Sequence, residues 1–110
     1  MANTFKNANL DVTSSEQTLY TCPANTTAVV ISLRITNVDG SNTDNIKAEW
    51  VDSDGSTKAY LAYEVDVPFD SILELAGESK IVLEASDSIK LTGGASSGDL
   101  EAFASILEIT

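Results

Sequence analysis

The chain has 110 residues, enough for one hydrophobic core but marginal for two, and its apolar fraction of 43 % is that of an ordinary globular protein. Six lysines and arginines against 17 aspartates and glutamates give a net charge of −11, which disfavours nucleic acid and anionic lipid as partners. No apolar run approaches the roughly 18 to 20 residues that cross a bilayer, so we expect a soluble domain without a membrane partner.

The first 16 residues are rich in Asn, Thr and Ser, with isolated apolar residues at Phe5, Leu10 and Val12. This composition is too polar and too aperiodic to predict a packed element. We therefore predict an N-terminal arm over residues 1–16, followed by one domain over residues 17–110. Two alternatives stay open for the arm: it is disordered in the isolated chain, or it lies along a neighbouring subunit with Phe5 and Leu10 as anchors.

The N-terminal segment MANTFKNANLDVTSSEQ contains no basic stretch followed by an apolar one, so it does not predict a secretory signal. Cys22 is the only cysteine, which excludes an intrachain disulfide and a secreted fold held together by such bridges. We therefore expect synthesis and assembly in a cytoplasm.

From Gln17 onward the apolar residues alternate with period two, which indicates β-strands. The strongest strand lies in TAVVISLRITNV, where the predicted core-facing residues are Val29, Ile31, Leu33 and Ile35. The next two strands, IKAEWVD and TKAYLAYEV, are separated by DSDGS, in which Gly55 can adopt a positive φ. These two strands should form a hairpin with Trp50 and Tyr63 facing inward.

The C-terminal half predicts further short strands. Pro68 interrupts the ladder after the hairpin, and SILEL, KIVLEA and IKLTGG follow with turns between them. The core-facing residues of the last two are predicted to be Ile81, Leu83, Ile89 and Leu91. The final strand, in DLEAFASILEIT, is apolar on both faces, with Phe103, Leu107 and Ile109 on one and Leu100, Ala102, Ala104 and Ile106 on the other.

A strand with two apolar faces either lies centrally between layers or uses one face at a subunit interface. Because Ala102 and Ala104 are small, we favour an interface for the face that they share. The candidate interface residues are Phe5, Leu10, Leu100, Ala102, Ala104 and Ile106.

The whole pattern gives about seven or eight strands, separated by turns rich in Gly, Asp, Ser and Asn, and no long helix. An all-β fold, an antiparallel β-sandwich, is the simplest architecture for it. Jelly-roll and immunoglobulin-like topologies both satisfy the pattern.

The residue types argue against catalysis. Histidine is absent, so general acid–base chemistry would depend on carboxylates, lysine or tyrosine, and the Cys22 thiol has no imidazole as its base. TGGASSG lacks the lysine and the following helix of a phosphate-binding loop, and a hairpin loop explains it better. We therefore predict no enzymatic activity, no catalytic residue, no cofactor and no metal centre.

The segment VDSDGS, with Asp52, Asp54 and Gly55, has the spacing that opens a calcium-binding EF-hand loop. The twelfth loop position would be residue 63, which is Tyr63 instead of the required glutamate. The EF-hand interpretation therefore fails, and a turn stabilised by aspartate side chains explains the segment better. Weaker cation binding by the acidic loops is left open.

Two segments, LYTCPANTTAVVISLRITNVDG and KIVLEASDSIKLTGGASSGDLEAFASILEI, together resemble the small β-sandwich structural proteins of tailed bacteriophages, particularly marine and cyanobacterial phages. The resemblance covers Leu19 to Ile109. It implies a virion component without an active site, so no functional residue is carried over. It also implies a homo-oligomer, with a trimer favoured, that assembles in the host cytoplasm with the major capsid protein or other virion subunits as partners.

The resemblance leads to two functional hypotheses. In the first, the protein is a head-decoration or cement protein that stabilises the capsid through contacts between subunits. In the alternative, it is a tail, neck or fibre module that binds host glycan or protein through loops at residues 38–45, 52–57 and 92–99. An aromatic platform of Trp50, Tyr60 and Tyr63 would suit the alternative, but core packing is the favoured interpretation of these rings.

Overall fold

The computed structural model describes residues 2–77, 79–94 and 99–110, and the regular structure in these ranges is entirely β. The described residues form nine strands: β1 (Asn3–Val12), β2 (Gln17–Thr21), β3 (Thr27–Asn37), β4 (Asp44–Val51), β5 (Thr57–Val67), β6 (Ile72–Ala76), β7 (Ile81–Leu83), β8 (Ser88–Gly93) and β9 (Leu100–Ile109). Within the same ranges there is no helix with the length and apolarity needed to span a membrane.

The strands form two antiparallel sheets packed as a β-sandwich, which confirms the predicted architecture. The first sheet has the order β1–β9–β3–β6, with β7 also paired to β3, and the second sheet has the order β2–β8–β4–β5. The first half of the chain thus pairs with the second half in reverse order. This arrangement is the rolled-up hairpin of a jelly roll, whereas an immunoglobulin-like sandwich pairs its first strand with its second.

The core lies between the two sheets and follows the alternation of the strands. Its large apolar residues with 0 % exposure are Leu33, Ile35, Ile46, Leu83, Ile89, Leu91 and Leu100. Each such side chain contributes about 1.5–3 kcal/mol when it is fully buried. The inward predictions for β8 are therefore confirmed, and so is the prediction for Leu83, while Ile81 is partly buried against the core.

A β-bulge in β3 changes which of its side chains face the core. Val30 is fully buried, whereas Val29 and Ile31 are only partly buried. The pairing of β3 with β9 shifts between Val30 and Ser32, so one extra residue exchanges the two faces of the strand at this point. The predicted inward set was therefore wrong before the bulge and right after it, where Leu33 is buried.

The β4–β5 hairpin is confirmed, and Gly55 in its turn has a φ of 87°. The pairing shifts at three places along this hairpin, and Glu64 in β5 has a φ of 53°. Because such shifts exchange the faces of a strand, Tyr63 is 57 % exposed, and its predicted inward placement was wrong. Trp50 is half-buried, and its indole N–H donates to a carboxylate oxygen of Asp87 over 3.2 Å.

Residues 3–12 form a regular edge strand, although the sequence predicted no packed element there. β1 pairs with β9 at ten consecutive positions, and Val12 at its end is fully buried. A polar composition does not prevent this, because backbone groups supply the pairing and only every second side chain faces the core. The division into an arm of residues 1–16 and a domain of residues 17–110 stays a prediction.

Neighbouring residues of β7 provide a test of the core assignment, since Leu83 is 0 % exposed and Val82 is 55 % exposed. Leu83→Asp should abolish cooperative unfolding, because it places an unpaired carboxylate between the sheets. Val82→Asp should change the free energy of unfolding by about 1 kcal/mol or less. Urea denaturation followed by tryptophan fluorescence measures both, and an unchanged midpoint for Leu83→Asp would contradict the assignment.

Candidate assembly surface

An apolar row crosses the outer face of the first sheet. Phe5 in β1 lies opposite Leu107 in β9. Leu107 in turn lies opposite Val29 in β3, and Val29 lies opposite Val82 in β7. Directly opposite side chains of antiparallel neighbours have Cβ atoms about 4.5–5.5 Å apart, so these four residues form one continuous strip, which we call the apolar row.

The apolar row faces solvent. Phe5 is 73 % exposed and Val82 is 55 % exposed, while the two residues between them are half-buried. Strands lie about 4.8 Å apart, so a row over four strands is about 14 Å long. The outward positions of a sandwich strand are normally polar, and a contiguous apolar strip at such positions is typical of a contact surface.

Polar side chains border the apolar row towards the middle of the sheet. Ser105 lies opposite Asn7 and donates a hydrogen bond to its side-chain oxygen over 3.3 Å. Further along β9, the exposed ring of Phe103 has the guanidinium carbon of Arg34 at 6.0 Å from its centroid. This outer face therefore combines an apolar centre with a polar and charged border, as protein interfaces commonly do.

The residues predicted for an interface lie in two different environments. Phe5 belongs to the apolar row, whereas Leu10 is half-buried and packs against the core. The other four are at most 2 % exposed and belong to the core, namely Leu100, Ala102, Ala104 and Ile106. Their face of β9 contacts the second sheet, so it is not accessible to another subunit in this fold. The outward apolar face of β9 is instead the one that carries Leu107, and the interface role of the predicted residues stays a prediction.

Sequence reasoning missed the rest of the apolar row. The sequence did contain a signal for Leu107, since β9 is apolar on both faces. The prediction favoured the opposite face because Ala102 and Ala104 are small. The alignment of Val29 with Val82 has no signal in the sequence, because it depends on the bulge in β3 and on the pairing of distant strands.

A polar cluster around one buried carboxylate connects β1 to its neighbours on the inner side of the same sheet. Glu108 in β9 is 5 % exposed. One of its carboxylate oxygens lies 2.9 Å from the Lys6 ammonium of β1, and the other accepts a hydrogen bond of 2.5 Å from the Tyr20 hydroxyl of β2. The cluster therefore connects the edge strand to both sheets.

These contacts set the protonation states within the cluster. The hydrogen bond from Tyr20, followed by the contact with Lys6, lowers the pKa of Glu108 below its ordinary value of 4.5. Burial, followed by the hydrogen bond to Glu108, raises the pKa of Tyr20. At neutral pH the carboxylate is therefore ionised and the phenol neutral, as the hydrogen bond requires.

Glu108→Gln tests the contribution of this cluster to stability. Because folding lowers the pKa of Glu108, the stabilisation is present above the ordinary pKa and is lost as the pH falls through the lowered value. At pH 7 we expect the wild type to be more stable than the variant by about 1–3 kcal/mol, with the difference shrinking below about pH 4. Denaturant unfolding at several pH values measures it. A difference that does not change with pH would contradict the role of the charge.

The other candidates for chemistry have structural roles. The Cys22 thiol is buried and donates to a backbone carbonyl over 3.3 Å, and burial raises its pKa, which disfavours the reactive thiolate. Asp54 accepts hydrogen bonds from the backbone and hydroxyl of Ser56 within the β4–β5 turn, and Asp52 lies 3.5 Å from Lys58. Over the described ranges, no group of three or more acidic or cysteine side chains is arranged to hold a metal ion.

The loops predicted to bind a host receptor lie at opposite ends of the sandwich. Residues 38–45 and Gly94 are together at one end of β4, where the Gly94 N–H donates to the Asn45 carbonyl over 3.0 Å. Residues 52–57 follow the other end of β4, about 26 Å away along its eight residues. Residues 95–98 of the third loop lie outside the described residues. The described parts of these loops therefore form no single site.

Apart from these loops, an exposed pair of aromatic side chains lies on the solvent-facing side of the second sheet. The rings of Tyr60 and Tyr63 pack edge to face, with centroids 4.8 Å apart, and the side chains are 50 % and 57 % exposed. The Lys47 ammonium lies 5.5 Å from the centroid of the Tyr63 ring. Core packing of these two tyrosines is therefore excluded, and the pair offers apolar surface with polar tips.

No protein-family model and no curated protein matches the sequence. Solved structures match in fold. A chain of Bacillus endospore appendages, described as disulfide-linked pili, aligns with a TM-score of 0.60 and 9 % identity over 99 % of this chain and 87 % of that chain. A chain from the capsid of Helicobacter pylori bacteriophage KHP30 aligns with a TM-score of 0.57 and 10 % identity over 100 % and 89 %. A chain of infectious bursal disease virus, Gx strain, aligns with a TM-score of 0.50 and 10 % identity over 98 % of this chain but only 30 % of its own. At such identities the likeness establishes a shared fold and nothing further.

Proposed function

We propose that the chain is a structural protein of a virion, and within that role a head-decoration or cement protein bound to the outside of a capsid. The observation that carries this proposal is the apolar row, a solvent-facing strip across four strands of the first sheet. The resemblance of two segments to phage structural proteins supports it. The fold is similar to that of a chain from a bacteriophage capsid over the full length of this chain, which is compatible with the proposal.

The apolar row suits attachment by burial. Phe5 and Val82, at its two ends, are largely exposed, so a partner surface that covers them removes apolar area from water. Such burial is worth about 25 cal/mol per Å², and repetition over many copies adds to the stability of the whole shell. The partner in this mechanism is the major capsid protein or another virion subunit.

We further propose that residues 1–16 act as an arm between neighbouring copies. β1 is an edge strand, joined to β2 by residues 13–16, and its only ladder among the described strands is with β9. The β1 of a neighbouring copy can make the same ten pairs and the same contact between Lys6 and Glu108, so exchange preserves the native interactions. Exchange of this kind would produce the homo-oligomer, for which a trimer is favoured.

Two valines provide a matched test of attachment through the apolar row. Val82 in the row is 55 % exposed, and Val38 in a distant loop is 52 % exposed. We expect Val82→Asp to weaken binding to capsids about 10- to 100-fold, because it would bury an unpaired carboxylate, whereas Val38→Asp should bind like the wild type. Co-sedimentation of purified protein with particles that lack it measures the affinity, and equal binding by both variants would contradict attachment through the row.

Cementing itself is tested by heating particles that contain the protein and particles that lack it. Particles without it should release their genome at a lower temperature, and added wild-type protein should restore the higher one. Equal heat tolerance of the two kinds of particle would exclude cementing.

The exposed pair of Tyr60 and Tyr63 favours a second candidate function, a tail, neck or fibre module that binds host glycan or protein, since tyrosine is enriched at recognition surfaces. In that case Tyr63→Ala should reduce binding of labelled protein to host cells at least about tenfold, and Val82→Asp should not. Hundreds of copies on each head would exclude the tail location.

A further inference from the structure

One buried carboxylate oxygen has no hydrogen-bond partner among the described residues. Asp44, the first residue of β4, is 6 % exposed, and its Oδ1 accepts hydrogen bonds from the backbone N–H groups of Asn45, over 2.8 Å, and Gly94, over 3.0 Å. Its Oδ2 has no such partner, and none of the ion pairs within the described ranges involves Asp44. A buried carboxylate left in this state costs free energy, so the arrangement points to a cationic ligand.

Oxygen atoms line the space beside this carboxylate. A Cβ atom on Gly94 would lie 2.8 Å from Asp44 Oδ1 and 2.9 Å from Asn45 Oδ1. A Cβ atom on Gly93 would lie 3.7 Å from Asp44 Oδ2 and 3.2 Å from the carbonyl oxygen of Thr13. The two glycines, which carry no Cβ atom, therefore lie in a cradle bounded by carboxylate, amide and backbone-carbonyl oxygens.

This set of donors selects a hard cation. Oxygen ligands, including asparagine and backbone carbonyls, suit Ca²⁺, which accepts six to eight of them in irregular geometry and completes its shell with water. Mg²⁺ demands nearly octahedral geometry and suits such a cradle less well. A methyl group of Val12 lies 3.2 Å from the Cβ position of Gly93, so one wall is apolar and strengthens the attraction between ion and carboxylate.

We propose that Asp44, Asn45 and the Thr13 carbonyl form a calcium-binding site at this end of the sandwich. The site brings together the connection between β1 and β2, the start of β4 and the end of β8. The Thr13 carbonyl already accepts a hydrogen bond of 2.7 Å from the Gly93 N–H, so the three segments are in contact before an ion binds. Ca²⁺ would fasten the connection that leads from the edge strand into the second sheet.

Thermal unfolding of protein treated with a chelator and then titrated with CaCl₂ tests the site. The wild-type midpoint should rise with the logarithm of the Ca²⁺ concentration, by at least about 4 °C near saturation. Asp44→Asn should remove this response, because the amide carries no charge. Asp54→Asn makes the same substitution in the exposed β4–β5 turn and should respond like the wild type.

Gly94→Ala is the second variant, because its methyl group would enter the cradle at 2.8 Å from Asp44 Oδ1 while the charge of the carboxylate is kept. Calorimetric titration with CaCl₂ should show binding to the wild type and at least tenfold weaker binding to Gly94→Ala. A wild-type midpoint that does not respond to Ca²⁺, or a response that survives Asp44→Asn, overturns the proposal. If Asp44→Asn does not fold, equal Ca²⁺ affinities of the wild type and Gly94→Ala overturn it instead.

Discussion

The pairing of β9 between β1 and β3 is the interaction on which the rest of the structure depends. β9 forms ten residue pairs with each neighbour. Its inner face supplies Leu100 and Ile106 to the core, and its outer face supplies Leu107 to the apolar row. Both backbone edges of such a strand are satisfied, so both of its faces can be apolar without creating an open edge. The same strand thus contributes to folding on one side and to the proposed assembly on the other.

The edge strand β1 depends on this pairing and on polar contacts near each of its ends. Near its start, Lys6 reaches the buried Glu108, and just beyond its end the Thr13 carbonyl accepts the Gly93 N–H over 2.7 Å. Both ends are close to a buried carboxylate, Glu108 in one case and Asp44 in the other. In a chain of net charge −11, these two acids face inward and contact residues of neighbouring strands.

The sequence predicted the sandwich correctly where the alternation of apolar and polar side chains determines which residues face the core. In β8, for example, the inward Ile89 and Leu91 follow strict alternation. The inward or outward direction of side chains was predicted wrongly where it depends on the pairing register of the strands. The bulge near Ile31 and the shifts that expose Tyr63 follow from pairing with distant strands, which a local pattern does not report. In β1 the pairing is made by the backbone, so the polar side chains around Asn7 gave no sequence signal for a strand.

For the assembly surface, Phe5 could be identified from the sequence as an isolated apolar residue. The other residues of the apolar row could be identified only from the pairing of the strands.

Hydroxyl-radical footprinting of the protein, free in solution and on intact particles, tests the assembly role most directly. It reports the solvent exposure of individual side chains on both sheets in one measurement. Attachment through the apolar row predicts that labelling of Phe5 and Leu107 falls on the particle, while labelling of Tyr60 and Tyr63 stays as it is in the free protein. Unchanged labelling of Phe5 and Leu107, with protection of the tyrosine pair, would contradict attachment through the first sheet.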